Sequence, residues 1–120
     1  MPKSHPPKLL TIAGSDSGGG AGIQADLKTF SAFGCYGMSV ITAITAQNTK
    51  GVTATQNIDL SVIASQINAV MTDIGADVIK TGMLATPDIV KTVKTSLSPY
   101  SNQCLVVDPV LVATSGASLG

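Results

Sequence analysis

Leu9-Leu10-Thr11-Ile12-Ala13-Gly14-Ser15-Asp16-Ser17-Gly18-Gly19-Gly20-Ala21-Gly22-Ile23-Gln24-Ala25-Asp26 reads as an apolar strand, a glycine loop and the start of a helix. The strand is predicted over Leu9 to Ile12. The loop carries Gly14, Gly18, Gly19, Gly20 and Gly22. Glycines at this density cost stability in an empty loop, because glycine loses more backbone entropy on folding than any other residue. In return they allow close backbone approach and positive φ. They also present N–H groups at a helix N-terminus, where polar or anionic ligands are favoured. A purely structural turn rarely needs more than one or two glycines, so the junction is read as a ligand site.

Familiar glycine templates fit it poorly. The phosphate loop G-x-x-x-x-G-K-[ST] finds its spacing in Gly14 and Gly19, but Gly20 occupies the lysine position. Gly20 to Ala25 matches G-x-G-x-x-A, yet that dinucleotide fingerprint also wants an acid about 20 residues on. No acidic residue lies between Asp26 and Asp59. A dinucleotide oxidoreductase is therefore disfavoured.

Periodicity extends the pattern along the chain. Ile23, Leu27, Phe30 and Phe33 form a helical stripe that Gly34 can end. Residues 35–47 make a β-branched, uncharged run, as in a strand buried on both faces. A short strand follows over Val52 to Thr55. Asp59 can cap a helix with apolar positions Leu60, Ile63, Ile67, Val70 and Ile74, terminated by Gly75. Val78 to Thr81 is a strand. Thr86-Pro87-Asp88 is a helix start with a capping hydroxyl and proline at the first position, and Ile89, Val93 and Leu97 mark that helix's buried face. Leu105 to Val107 is a further strand. Strands alternating with helices predict one α/β domain over residues 9–120, with a mainly parallel sheet and helices on both faces.

Composition narrows the function classes. Seven lysines balance seven aspartates, with no arginine or glutamate. Zero net charge gives no footprint for nucleic acid or an anionic membrane. No apolar run approaches the roughly 18 residues of a membrane-spanning helix. The polar, proline-rich residues 1–8 read as a disordered leader without a signal region, which implies a cytoplasmic protein. Cys35 and Cys104 have no metal-ligand spacing and are expected to be buried reduced thiols. His5 is expected at the surface. The chain stops just past a strand and a glycine turn, so the sheet is expected to continue in a longer protein or to be covered by a partner.

Several polar residues fall at strand or helix ends. Asp26 borders the apolar stripe of the first helix; it either supports the helix N-terminus or accepts a hydrogen bond from a ligand. Gln47 closes its strand at the carboxyl end, as a polar turn or as an amide that reads a heterocycle's edge. Met83 is core or a soft lid over a flat ring. Lys80 has the ordinary reading of a surface lysine with a buried stem. Asp108, at another strand's carboxyl end, suits a cation or phosphate-linked role. Thr114-Ser115-Gly116 is a phosphate contact or a turn. Together these groups describe a small-molecule site beside the glycine loop.

Residues 11–28, Ser39 to Thr49, Ile79 to Leu84 and Val106 to Gly116 closely resemble the hydroxymethylpyrimidine and hydroxymethylpyrimidine-phosphate kinases, of the ribokinase-like superfamily, which serve thiamine biosynthesis. The resemblance runs in register over residues 9–119. It implies phosphorylation, with ATP and Mg²⁺, of 4-amino-5-hydroxymethyl-2-methylpyrimidine and of its monophosphate. By the same resemblance, Gly14, Ala21, Asp26, Gln47, Met83 and Val110 line the pyrimidine pocket. Gln47 would meet the ring's amino and nitrogen edge, and Asp108 would lie near the cation and ATP phosphates. Thr114 stands where many bacterial relatives have lysine. The family's anion hole and catalytic base belong to a C-terminal half beyond residue 120, so this chain alone is expected to turn over little. A full-length form is expected to be a homo-oligomer. A non-catalytic pyrimidine-binding fragment and a pyridoxine or pyridoxal kinase relative are the alternatives.

Overall fold

A computed structural model describes residues 5–100 and 104–108. Its strands and helices are, in chain order, β1 (Lys8–Asp16), α1 (Gly22–Ala32), β2 (Tyr36–Asn48), β3 (Gly51–Asn57), α2 (Leu60–Asp73), β4 (Val78–Thr81), α3 (Pro87–Leu97) and β5 (Cys104–Val107), with one 3₁₀ turn at Ser98–Tyr100. The sheet order is β3-β2-β1-β4-β5. β2, β1, β4 and β5 run parallel, and β3 is antiparallel to β2.

The chain first moves from β1 to β2, then returns past β1 to β4. Right-handed crossovers put helices on opposite faces when the direction of travel reverses. That is the arrangement here: Asp26 of α1 bonds Thr11 on one face, while Ile63, Ile67, Ile89 and Val93 of α2 and α3 join the core on the other. Register explains the core. Met38, Leu10 and Ile79 lie side by side across three strands, as do Val40, Ile12 and Thr81. Full burial of each such aliphatic side chain contributes about 1.5–3 kcal/mol.

Local signals account for the helix ends. The Thr86 hydroxyl accepts the Ile89 N–H at 3.1 Å, and Pro87 opens α3. Gly75 takes φ of +74° and its N–H donates to the Val70 carbonyl at the end of α2. Asp59 occupies the position before α2 but makes no capping bond. The buried face of α2 is Ile63, Ile67 and Met71; Leu60 and Ile74 are partly exposed. Where β2 has no strand beyond it, the Gln66 amide pairs with both the N–H and the carbonyl of Ile41 at 2.9 Å.

Four expectations need correction. Order begins before Leu9: Lys8 already pairs with Tyr36, and its N–H donates to Asp77. Phe33, expected on the buried stripe, is 80% exposed, because α1 ends at Ala32 and the chain turns away. β2 is not buried throughout; Ile44 is 51% exposed although it pairs with Ser15 of β1 on one edge and Gln56 of β3 on the other, because burial of its face needs a helix packed over it and strand pairing does not supply one. The cysteines are free but not buried: Cys35 is half-buried after α1, and Cys104 is exposed at the start of β5, the edge strand among the described residues. His5 is exposed, as expected. The reading of Thr114-Ser115-Gly116 and the role given to Val110 fall outside the described residues.

Candidate functional site

The strand order reverses around β1, and open parallel sheets bind ligands at the carboxyl ends of strands beside such a reversal. A cavity of about 650 Å³ opens there, within the usual range for small-molecule sites. Gly14, Ala21, Asp26, Gln47, Met83 and Asp108 all line it. Residues from five elements or their ends, up to 94 positions apart in sequence, thus reach one space.

The glycine loop is built differently from the expectation. Asp16 is buried, and its carboxylate collects three loop N–H groups: Gly18 at 2.7 Å, Ala21 at 2.8 Å and Gly20 at 3.0 Å. The Gly19 N–H donates to the Asp16 carbonyl. These four donors are therefore spent inside the loop and are not available to the polar or anionic ligand that such N–H groups favour. A buried carboxylate is stable in this setting because charged hydrogen bonds replace its water. Gln24 of α1 fixes the next turn by accepting the Asp16 N–H and donating to the Ser15 hydroxyl, both at 2.8 Å. Gly22 has φ of +58°, and a Cβ there would collide with the Gly14 carbonyl, so the helix start presses directly on the strand end.

Asp26 faces the cavity and not the helix terminus. Its Oδ2 accepts the Thr11 hydroxyl at 2.6 Å and the Lys80 ammonium at 2.9 Å; Oδ1 lies 3.1 Å from the same nitrogen. Both side chains are largely shielded, Lys80 at 23% and Asp26 at 18% exposure. Lys80 is thus a cavity residue, not the surface lysine expected.

Gln47 is held from two sides. The Ser17 hydroxyl donates to the Gln47 carbonyl and accepts its N–H, both at 2.7 Å. Thr45 Oγ1 lies 2.7 Å from the Ser15 carbonyl and 2.9 Å from Gln47 Oε1. Met83 covers the floor at Gly14, its Cε 3.5 Å from where a Cβ would stand. Asp16, Ser17 and Thr45 were missed in the sequence. Asp16 was legible in principle, since Asp before Ser-Gly-Gly-Gly readily bonds N–H groups ahead of it.

Three carboxylates (Asp16, Asp26 and Asp108) and one ammonium (Lys80) line the cavity. That balance disfavours an anion against this wall and favours a neutral ring or a cation. No group of three or more His, Cys, Asp or Glu able to hold a metal exists among the described residues. Asp108 is exposed, and its N–H donates to the Thr81 carbonyl. No described helix is long and apolar enough to cross a membrane.

A family model described as phosphomethylpyrimidine kinase matches residues 16–120. The hydroxymethylpyrimidine/phosphomethylpyrimidine kinase of Rhizobium meliloti is 54% identical over 110 residues, covering 92% of this chain and 41% of that protein. The crystal structure of phosphomethylpyrimidine kinase from Clostridium difficile superposes with a TM-score of 0.89 at 57% identity, covering 94% of this chain and 49% of the other. The pyridoxal kinase of Staphylococcus aureus, solved with AMP-PCP and pyridoxal, gives 0.81 at 40% identity, covering 94% and 42%. The chain therefore spans under half the length of each of these proteins.

Proposed function

The chain belongs to the phosphomethylpyrimidine kinase family, and on that premise we propose that it carries the substrate side of an ATP-dependent kinase. The substrate is 4-amino-5-hydroxymethyl-2-methylpyrimidine, then its monophosphate, in cytoplasmic thiamine biosynthesis by a full-length homo-oligomer. The observation that carries this reading is the cavity that unites Gly14, Ala21, Asp26, Gln47 and Met83. Its walls suit a flat, uncharged ring. Gly14 and Ala21 leave room for a ring face, and Met83 offers a polarizable surface against it. Gln47 can both donate and accept along a heterocycle's edge. Asp26, paired with Lys80, can accept a further hydrogen bond from an amino or hydroxymethyl hydrogen.

In this reading the residues bind and orient, and phosphoryl transfer depends chiefly on positioning and charge stabilisation. Mg²⁺ would neutralise charge on the transferring phosphates. Asp108 is the described residue that would hold it, and a single carboxylate suits Mg²⁺, which commonly keeps waters and phosphate oxygens as its other ligands.

Calorimetric titration with the aminopyrimidine alcohol, in the absence of ATP, tests the reading. Binding is expected, and Gln47→Leu should weaken it about 10- to 100-fold, since one or two polar contacts of about 1.5 kcal/mol are lost. Unchanged affinity in that variant ends the assignment. A pyridoxal-type substrate is the second reading, favoured by the likeness to the Staphylococcus aureus enzyme. Titration with pyridoxal in the same cell separates the two.

A further inference from the structure

The wall around Gln47 contains contacts that binding a ring does not by itself require. The β2–β3 ladder shifts register between Ala46 and Gln47, where Gln47 pairs with Val52, while the β1 ladder ends at Asp16 and Thr45. On the edge that β1 leaves, Ser17 holds the strand. Its hydroxyl bridges the Gln47 carbonyl and N–H at 2.7 Å each, as a strand neighbour would. Ser17 is itself anchored, because it follows the buried Asp16 carboxylate that gathers the loop N–H groups. Gly18 completes the fit. A Cβ there would lie 3.1 Å from the Gln47 carbonyl oxygen and 3.2 Å from Asn48 Cα, so loop and strand tip touch backbone to backbone.

The side-chain end is constrained as well. Thr45 Oγ1 approaches both the Ser15 carbonyl and the Gln47 amide, but a threonine hydroxyl has one hydrogen. With that hydrogen on Ser15, the remaining contact is satisfied when the Gln47 amide turns its NH₂ toward Thr45. Nitrogen and oxygen of an amide are interchangeable in shape, so the hydrogen-bond partners decide. The Gln47 carbonyl then faces the cavity.

We infer that Ser17 and Thr45 are positioning residues for Gln47: Ser17 sets its place along the strand, and Thr45 sets its amide so that the oxygen meets the ligand. The consequence is selectivity. A ring with an exocyclic amino group donates to that oxygen, whereas a ring with a carbonyl at the same position faces it oxygen to oxygen. This inference rests on the reading of Gln47 as a ring-binding residue.

The test uses the chain and its S17A, T45V and T45S variants, titrated with 4-amino-5-hydroxymethyl-2-methylpyrimidine and with its 4-oxo counterpart. Wild type should prefer the amino ring at least tenfold. T45V should lose most of that preference, and T45S should restore it. S17A should bind the amino ring about tenfold more weakly. Because Ser17 is exposed, this variant leaves the core intact. Hydrogen exchange at the Gln47 backbone amide gives a readout independent of ligand, and S17A should accelerate it about tenfold. Unchanged preference in T45V together with unchanged exchange in S17A overturns the inference. If wild type binds neither ring, the ring-binding reading fails and the amide-selectivity half of the inference fails with it. Exchange at Gln47 then still decides whether Ser17 holds the strand.

Discussion

Replacing Gly22 by alanine should be far more damaging than replacing glycines elsewhere, and the structure allows the reason to be separated into parts. Gly75 has φ of +74° with nothing within 4 Å of a built Cβ. Gly75→Ala therefore meets backbone strain alone, about 1–2 kcal/mol for a left-handed alanine. The stiffer unfolded chain returns about 0.4–1 kcal/mol, leaving a net loss near 1 kcal/mol. Gly20 has no positive φ, and its nearest neighbour is Asp16 Oδ2 at 3.9 Å. Gly20→Ala should change stability by less than about 0.5 kcal/mol. Gly22→Ala adds a collision with the Gly14 carbonyl to a φ of +58°. A backbone atom cannot swing aside, so the helix start must separate from the strand end. That movement breaks the Ser15–Gly22 bridge and strains the Gly20 and Ala21 bonds to Asp16. At about 1 kcal/mol for each bond, the total reaches about 3–4 kcal/mol, a large share of a domain's net 5–15 kcal/mol. Urea unfolding followed by far-ultraviolet circular dichroism suits a chain with no tryptophan. If Gly22→Ala proves no worse than Gly75→Ala, the close approach of helix and strand is not what holds the loop.

Two further substitutions probe the charges in the cavity. Lys80→Met leaves the Asp26 carboxylate, among the described residues, with the Thr11 hydroxyl alone and should destabilise by about 1–3 kcal/mol, less than for a fully buried pair because both side chains retain some water. Adding Asp26→Leu should recover part of that loss, with a coupling energy of about 1–2 kcal/mol, and strictly additive unfolding energies would show that the pair does not interact. Asp16→Asn removes one of the two acceptor oxygens that hold Gly18, Gly20 and Ala21 and points an amide donor at N–H groups. A loss of about 2–4 kcal/mol is expected in the same urea assay, and an unchanged midpoint would refute the account of the loop.

What could be read from the sequence was whatever short-range physics decides. The start of α3 was legible because Thr86, Pro87 and Ile89 settle it within four residues. The alternation of strands and helices, and hence the sheet with helices on both faces, followed from periodicities that survive in any context. The exposure of individual apolar residues was not legible in this way. Phe33, Ile44 and Cys104 look like core residues by type, but burial depends on which element packs there, and sequence periodicity does not contain that.

The site divides along the same line. Asp26, Gln47, Met83 and Asp108 were picked out from the residues themselves and Gly14 and Ala21 through the family resemblance; the parallel strand ends and the start of α1 bring them to one cavity. The pairing of Lys80 with Asp26 joins residues 54 apart, so nothing local distinguishes Lys80 from a surface lysine. Asp16 is the instructive case. Its partners lie within five residues, so the pattern was present in the quoted stretch, but the glycines drew the reading toward a ligand for their N–H groups. The loop instead satisfies those groups itself. An acceptor built into the loop removes the need for an anion, and that leaves a rigid, mildly acidic wall against which an uncharged ring is the better guest.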